Sequence, residues 1–114
     1  MQVHTNTDNH LEGREALALH VEQVVRATLR HAQEHVTRVE VHLADENGAR
    51  SSDDDKRCMM EARLKGRPPL VVTHHAGSVH QALDGAARKL RAAVDSTLGR
   101  LSEHHRHPAP QSPE

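Results

Sequence analysis

Apolar and polar positions follow two periods along this chain, and each change of period marks an element. Residues 37–44 (TRVEVHLA) put Val39, Val41 and Leu43 on one side and Arg38, Glu40 and His42 on the other. This period of two predicts a half-buried strand. Residues 57–65 (RCMMEARLK) repeat it, with Cys58, Met60, Ala62 and Leu64 inward and Arg57, Met59, Glu61, Arg63 and Lys65 outward. Residues 1–6 alternate more weakly, and 70–76 (LVVTHHA) read as a strand whose facing the pattern leaves open. Elsewhere the spacing is three and four. Leu17, Val21, Val24, Val25, Thr28, Leu29 and Ala32 predict an amphipathic helix over 14–33, with Gly13 or an earlier Asp or Asn as its cap. Val79, Leu83, Ala86, Leu90, Val94, Thr97 and Leu101 predict a second, longer helix. Ser78-Val79-His80-Gln81 in front of it matches the S-x-x-Q capping box.

The connections are turn-rich: 7–13, the acidic stretch 45–55 (DENGARSSDDD) and Gly66-Arg67-Pro68-Pro69. Residues 104–114 (HHRHPAPQSPE) read as a disordered His- and Pro-rich tail, leaving one domain over 1–103. The order is β-α-β-β-β-α. The first helix is long enough to cross over between parallel strands, and the short later connections require antiparallel ones. With one apolar face per strand and one stripe per helix, the expected fold is α/β (α+β): a four-stranded mixed sheet with two helices on one face.

Composition narrows the functions open to this fold. The 114 residues include no Phe, Trp or Tyr. Stacking of single-stranded bases on aromatic side chains and aromatic cages for methylated ligands are therefore excluded. The apolar runs are too short for a membrane helix, and residues 1–5 lack the features of a signal peptide, so a cytoplasmic protein without membrane contact is expected. The single cysteine, Cys58, cannot form an internal disulfide. The net charge of −1 conceals a split: residues 1–55 carry 5 basic and 11 acidic side chains, net −6, and residues 56–106 carry 10 basic and 4 acidic, net +6. A basic half of this kind suits a polyanionic partner.

The basic set is the strongest chemical feature. The third strand and the turn after it offer Arg57, Arg63, Lys65 and Arg67, and the solvent side of the last helix offers Arg88, Lys89 and Arg91. Such groups neutralise phosphates with little regard to sequence. Twelve histidines invite a metal check. His31 and His35 are four apart on the first predicted helix, but HExxH is absent and no Cys or carboxylate stands at a matched spacing, so no metal site is assigned. Cys58 alternates inward as a core residue, Ser78 caps a helix, and Asp53-Asp54-Asp55 lacks the ligand order of a calcium loop. No enzyme, cofactor or small-molecule substrate is expected. Two alternatives stay open: an interaction module meeting a basic partner through 45–55, and a protein binding metal through histidine.

Three stretches together resemble the ribosome hibernation-promoting factor / ribosome-associated inhibitor (HPF/RaiA) family. They are Thr37–Gly48 (TRVEVHLADENG), Asp55–Gly66 (DKRCMMEARLKG), and Val72–Ala76 (VTHHA) followed by Gln81–Leu90 (QALDGAARKL). The resemblance covers roughly residues 1–102. It implies a domain like a double-stranded-RNA-binding domain with an added first strand. It also implies a non-catalytic factor that binds the small ribosomal subunit in the messenger and transfer RNA channel, blocking translation in stress or stationary phase. Basic side chains hold the RNA in that family. Lys89 matches a recurrent basic position, with Arg88 and Arg91 beside it, and Arg57, Arg63 and Lys65 follow. Two positions where many members carry an aromatic are His80 and Ala32 here. The chain resembles the short form, without the further domain by which long members pair ribosomes, and is expected to act as a monomer.

Overall fold

The computed structural model describes residues 1–8, 13–46 and 55–106, the last seven by backbone alone. The expectations for 9–12, for most of the acidic stretch (47–54) and for 107–114 lie outside the described residues, as does the Leu101 side chain. The elements are β1 (Gln2–Thr7), α1 (Arg14–Thr28), a 3₁₀ turn (Arg30–Ala32), β2 (Val36–Asp45), β3 (Lys56–Leu64), β4 (Leu70–Ala76) and α2 (Val79–Arg106). The last helix thus runs through Arg106, three residues into the segment read as a tail.

The four strands form one sheet in the order β1-β2-β3-β4. β1 runs parallel to β2, with Val3 opposite Val39 and Thr5 opposite Val41. β2 and β3 are antiparallel, with Leu43 opposite Cys58 and Val41 opposite Met60, and β3 and β4 are antiparallel, with Met60 opposite Val72. The expected mixed sheet with two helices on one face is what the chain adopts. Val21, Val25 and Leu29 from the α1 side and Leu83, Leu90 and Val94 from α2 meet Val39, Val41, Cys58 and Met60 of the sheet in one buried cluster. This placement leaves the opposite face of the sheet open. It carries Arg38, Glu40 and His42 of β2, Arg57, Met59, Glu61 and Arg63 of β3, and Val71, Thr73 and His75 of β4.

One local feature differs from the pattern, and one that the pattern leaves open is settled. The first helix stops at Thr28, where the expectation ran to residue 33; Leu29 leaves helical geometry at φ −107°, ψ 18°. Leu29 and Ala32 are nonetheless fully buried. A 3₁₀ turn also brings residues three apart to one side, so the apolar spacing continues through the break. His31 and His35 are consequently not neighbours on one helix face. The facing of β4 is settled by register: Leu70, Val72, His74 and Ala76 stand opposite Ala62, Met60, Cys58 and Lys56, on the helix side.

Without aromatic rings, the largest fully buried side chains are Leu29, Met60, Leu83 and Leu90. A ring is still used at one edge of the core. The His74 imidazole lies so close over Gly85 of α2 that a Cβ at Gly85 would collide with it. The start of α2 is fixed as its sequence implies, because the Gln81 backbone N–H donates to Ser78 Oγ at 3.1 Å. The β3–β4 turn uses Gly66 at φ 68°, with the Arg67 N–H donating to the Leu64 carbonyl at 3.3 Å. At the far end of the sheet Lys56 donates to the buried Asp55 at 2.8 Å and lies 3.5 Å from Asp45, pairs that raise its pKa above 10.5.

Candidate nucleic-acid interface

The basic residues of α2 are spread around its solvent-facing half. At 3.6 residues per turn, Lys89 and Arg91 stand about 160° apart with Arg88 between them. Arg91 and Arg88 border a crease between the two helices, where Val24 and Thr28 of α1 face Asp84 and Ala87 of α2. Lys89 turns the other way. Its Nζ donates to the Thr73 carbonyl at 2.8 Å, on the edge of β4 that no strand pairs. Arg88 also borders a groove on that side, beside His74, His75 and Gln81. All three are exposed. Arg91 Nε lies 3.6 Å from Asp95, whose other oxygen sits 2.5 Å from His31 Nε2. No carboxylate partner is found for Arg88 or Lys89 among the described residues.

The third-strand arginines stand on the opposite layer of the molecule and are paired there. Arg57 Nε lies 3.4 Å from Glu46, which also meets His75 Nε2 at 3.3 Å. Arg63 is 3.9 Å from Glu61. Lys65 and Arg67 follow β3, exposed and without a carboxylate partner among the described residues. The seven candidate cations therefore do not form one patch. Arg88, Lys89 and Arg91 cover the outer side of α2, Arg57 and Arg63 lie on the open sheet face, and Lys65 and Arg67 lie at the end of the sheet between the layers. Such an arrangement can touch polyanion on more than one side. Ion-paired arginines give up a partner to do so, whereas Arg88, Lys65 and Arg67 have no carboxylate partner among the described residues to give up.

Arg38 escaped the sequence reading. It sits in the acidic half of the chain, yet it faces Arg63 directly across the β2–β3 register. Its terminal nitrogen holds Glu40, while its Nε is buried and has no hydrogen-bond partner. The signal available in the sequence was its outward place in the alternation of residues 37–44.

Among the described residues the histidines do not gather into one group. His20 and His80 pack edge to face across the two helices at 4.9 Å, and His31 is held by Asp95. Among the described residues no group of three or more His, Cys, Asp or Glu side chains could hold a metal ion. Cys58 is fully buried, and burial pushes its thiol from 9.0 up to about 12. In the unfolded chain the thiol ionises at its ordinary value. The stability tied to the neutral buried thiol is thus fully present below about pH 9 and is lost as pH rises toward 12. Urea melts across this range are expected to show a steeper alkaline loss for the native chain than for Cys58→Ala, and equal slopes would contradict the burial of a neutral thiol. No helix among the described residues is long and apolar enough to cross a membrane.

The fold has close counterparts among solved structures. The crystal structure of the Thermus thermophilus protein Y N-terminal domain superposes with a TM-score of 0.67 at 18% identity, over 85% of this chain and 99% of that one. A ribosomal subunit interface protein from Coxiella burnetii superposes with a TM-score of 0.64 at 10% identity, over 87% and 99%. At these identities the likeness establishes the fold. No curated protein sequence matches the chain. The family described as sigma 54 modulation protein / S30EA ribosomal protein, however, matches residues 5–102, nearly the whole described fold, and the chain belongs to that family.

Proposed function

We propose that this protein is a cytoplasmic, ribosome-associated translation inhibitor of the hibernation type. It acts as a monomer, binds the small ribosomal subunit through ribosomal RNA, and fills the messenger and transfer RNA channel with its folded body under stress or in stationary phase. The observation that carries this reading is the family match over residues 5–102. The Coxiella burnetii structure, itself a ribosomal subunit interface protein, supports the same kind of partner. The surface is compatible with RNA backbone as ligand. Arg88, Lys65 and Arg67 are exposed and unpaired among the described residues, and Lys89 and Arg91 flank Arg88. Arg57, Arg63 and, through its pairing, Arg38 form a second, partly neutralised set.

With no Phe, Trp or Tyr in the sequence, the grip on RNA rests on charge and hydrogen bonding, and charge is screened by salt. The test uses purified small subunits on sucrose gradients. The protein is expected to co-sediment with them at low salt, with the bound fraction falling as salt rises. A protein absent from the subunit fraction at both low and moderate salt would overturn the reading.

A further inference from the structure

The end of the sheet opposite the Lys56–Asp55 pair holds a groove of about 560 Å³, where three of the cations named above meet in one place. Arg38, Arg63 and Lys65 line it, together with Gln33, Glu34 and Thr37. The local backbone explains why these cations meet. The β2–β3 register slips between Val36 and Arg38, a bulge that leaves Thr37 out of the ladder, its hydroxyl donating to the Arg63 carbonyl at 3.1 Å. Beyond the slip, Arg38 and Arg63 are direct cross-strand partners, and so are Glu40 and Glu61 two positions further on, on the same face.

Like charges placed directly opposite each other on a sheet destabilise it. Each arginine is offset along its own strand, Arg38 by Glu40 and Arg63 by Glu61. The Arg63 contact is long, at 3.9 Å, and Arg63 is 55% exposed. Lys65 adds a third positive charge with no carboxylate partner among the described residues, and Glu34 is the single acidic residue in the lining. The buried Arg38 Nε has no acceptor. A polar atom so placed calls for a physical reason.

From this arrangement we infer that Arg38, Arg63 and Lys65 form a binding site for a phosphate group at the Val36–Arg38 bulge. Two guanidinium forks from adjacent strands suit the oxygens of one phosphate, and the lysine supplies a mobile third charge. An RNA backbone phosphate and the phosphate of a free nucleotide share this chemistry. The first source rests on the ribosomal reading above, and the second does not. In the RNA case the site supplies a contact on the layer opposite α2, so the protein is held from two sides.

Pyrophosphate titrated into the full chain and followed by ¹⁵N NMR tests the site without ribosomes. Saturable shifts are expected at Arg38 and Arg63, including their side-chain Nε–H signals, and at Lys65. The double substitution Arg38→Gln/Lys65→Gln is expected to weaken pyrophosphate binding by about tenfold or more. Arg38 is half-exposed and Lys65 exposed, so the variant is expected to fold, which its melting curve verifies. Small-subunit binding separates the sources. An affinity loss together with a salt slope shallower by about 2 assigns the site to RNA backbone. Unchanged subunit binding alongside lost pyrophosphate binding assigns it to a free phosphate ligand. If pyrophosphate leaves these residues unshifted, or binds the folded double variant as it binds the native chain, the site does not exist. If instead the native protein fails to bind subunits but takes pyrophosphate here, the site stands and the ribosomal reading falls.

Discussion

Reversing Arg88, Lys89 and Arg91 to glutamate is expected to weaken small-subunit binding by about a thousandfold at moderate salt, charge-assisted contacts being worth about tenfold apiece. Arg88, Lys89 and Arg91 occupy the side of α2 turned away from Ala86, Leu90 and Val94, so their replacement leaves the core contacts of the helix in place. The cost to folding is confined to the surface. Glutamate at 88 and 91 meets Asp84 and Asp95 four residues away, each like-charge pair costing about 0.3–0.5 kcal/mol. Glutamate at 89 loses the hydrogen bond to the Thr73 carbonyl. The glutamine triple variant avoids the new repulsion and serves as the control for fold. It is expected to melt close to the native protein and still to bind weakly. A reversal variant that is folded and binds as the native chain does would remove this side of α2 from the interface.

The second large effect concerns stability. Gly85→Ala is expected to destabilise the protein by about 1–3 kcal/mol, the usual cost of overpacking a filled site. Glycine inside a helix is normally a weakness, and alanine there is favourable by about 0.8–1.0 kcal/mol. Here the sign inverts, because the space a Cβ needs is taken by the His74 imidazole reaching across from β4. In a His74→Ala background the obstruction is gone, and Gly85→Ala is expected to stabilise by roughly the helix-propensity difference. Urea denaturation of the four proteins in this cycle reads the coupling directly. If Gly85→Ala has the same sign in both backgrounds, His74 does not fill that space.

The His74–Gly85 contact also shows where sequence reading stops. The facing of β2 and β3 was legible because their apolar residues keep strict parity, and a one-residue slip would expose every one of them. β4 has Leu70, Val71 and Val72 in succession, so parity alone could not say that His74 faces α2. Only the register with β3 decides it, and with it the reason for a glycine at 85. The end of α1 was hidden for a related reason. Leu29 and Ala32 continue the helical spacing, yet the buried side is maintained by a 3₁₀ turn. That difference moves His31 toward Asp95 and away from His35.

The candidate site was legible as a set of residues and not as a surface. Counting charge along the chain found the basic half, but the two-layer fold sends Arg57 and Arg63 to one side and Arg88, Lys89 and Arg91 to the other. The same count passed over Arg38, because it belongs to the acidic half. A bulge at Thr37, which no residue count reports, sets it against Arg63. Near-zero net charge therefore says little about how charge is laid out on the surface. Exposure and pairing say more, and they separate Arg88, Lys65 and Arg67, which have no carboxylate partner among the described residues, from the arginines held by carboxylates.

Whether the protein resides on ribosomes in resting cells is the most direct question for this account. Extracts of resting cells, separated on sucrose gradients at low and at moderate salt and probed for the endogenous protein, answer it. The protein is expected to migrate with the small subunit or the whole ribosome at low salt and to be partly released as salt rises. A protein that stays at the top of the gradient under both conditions would contradict it.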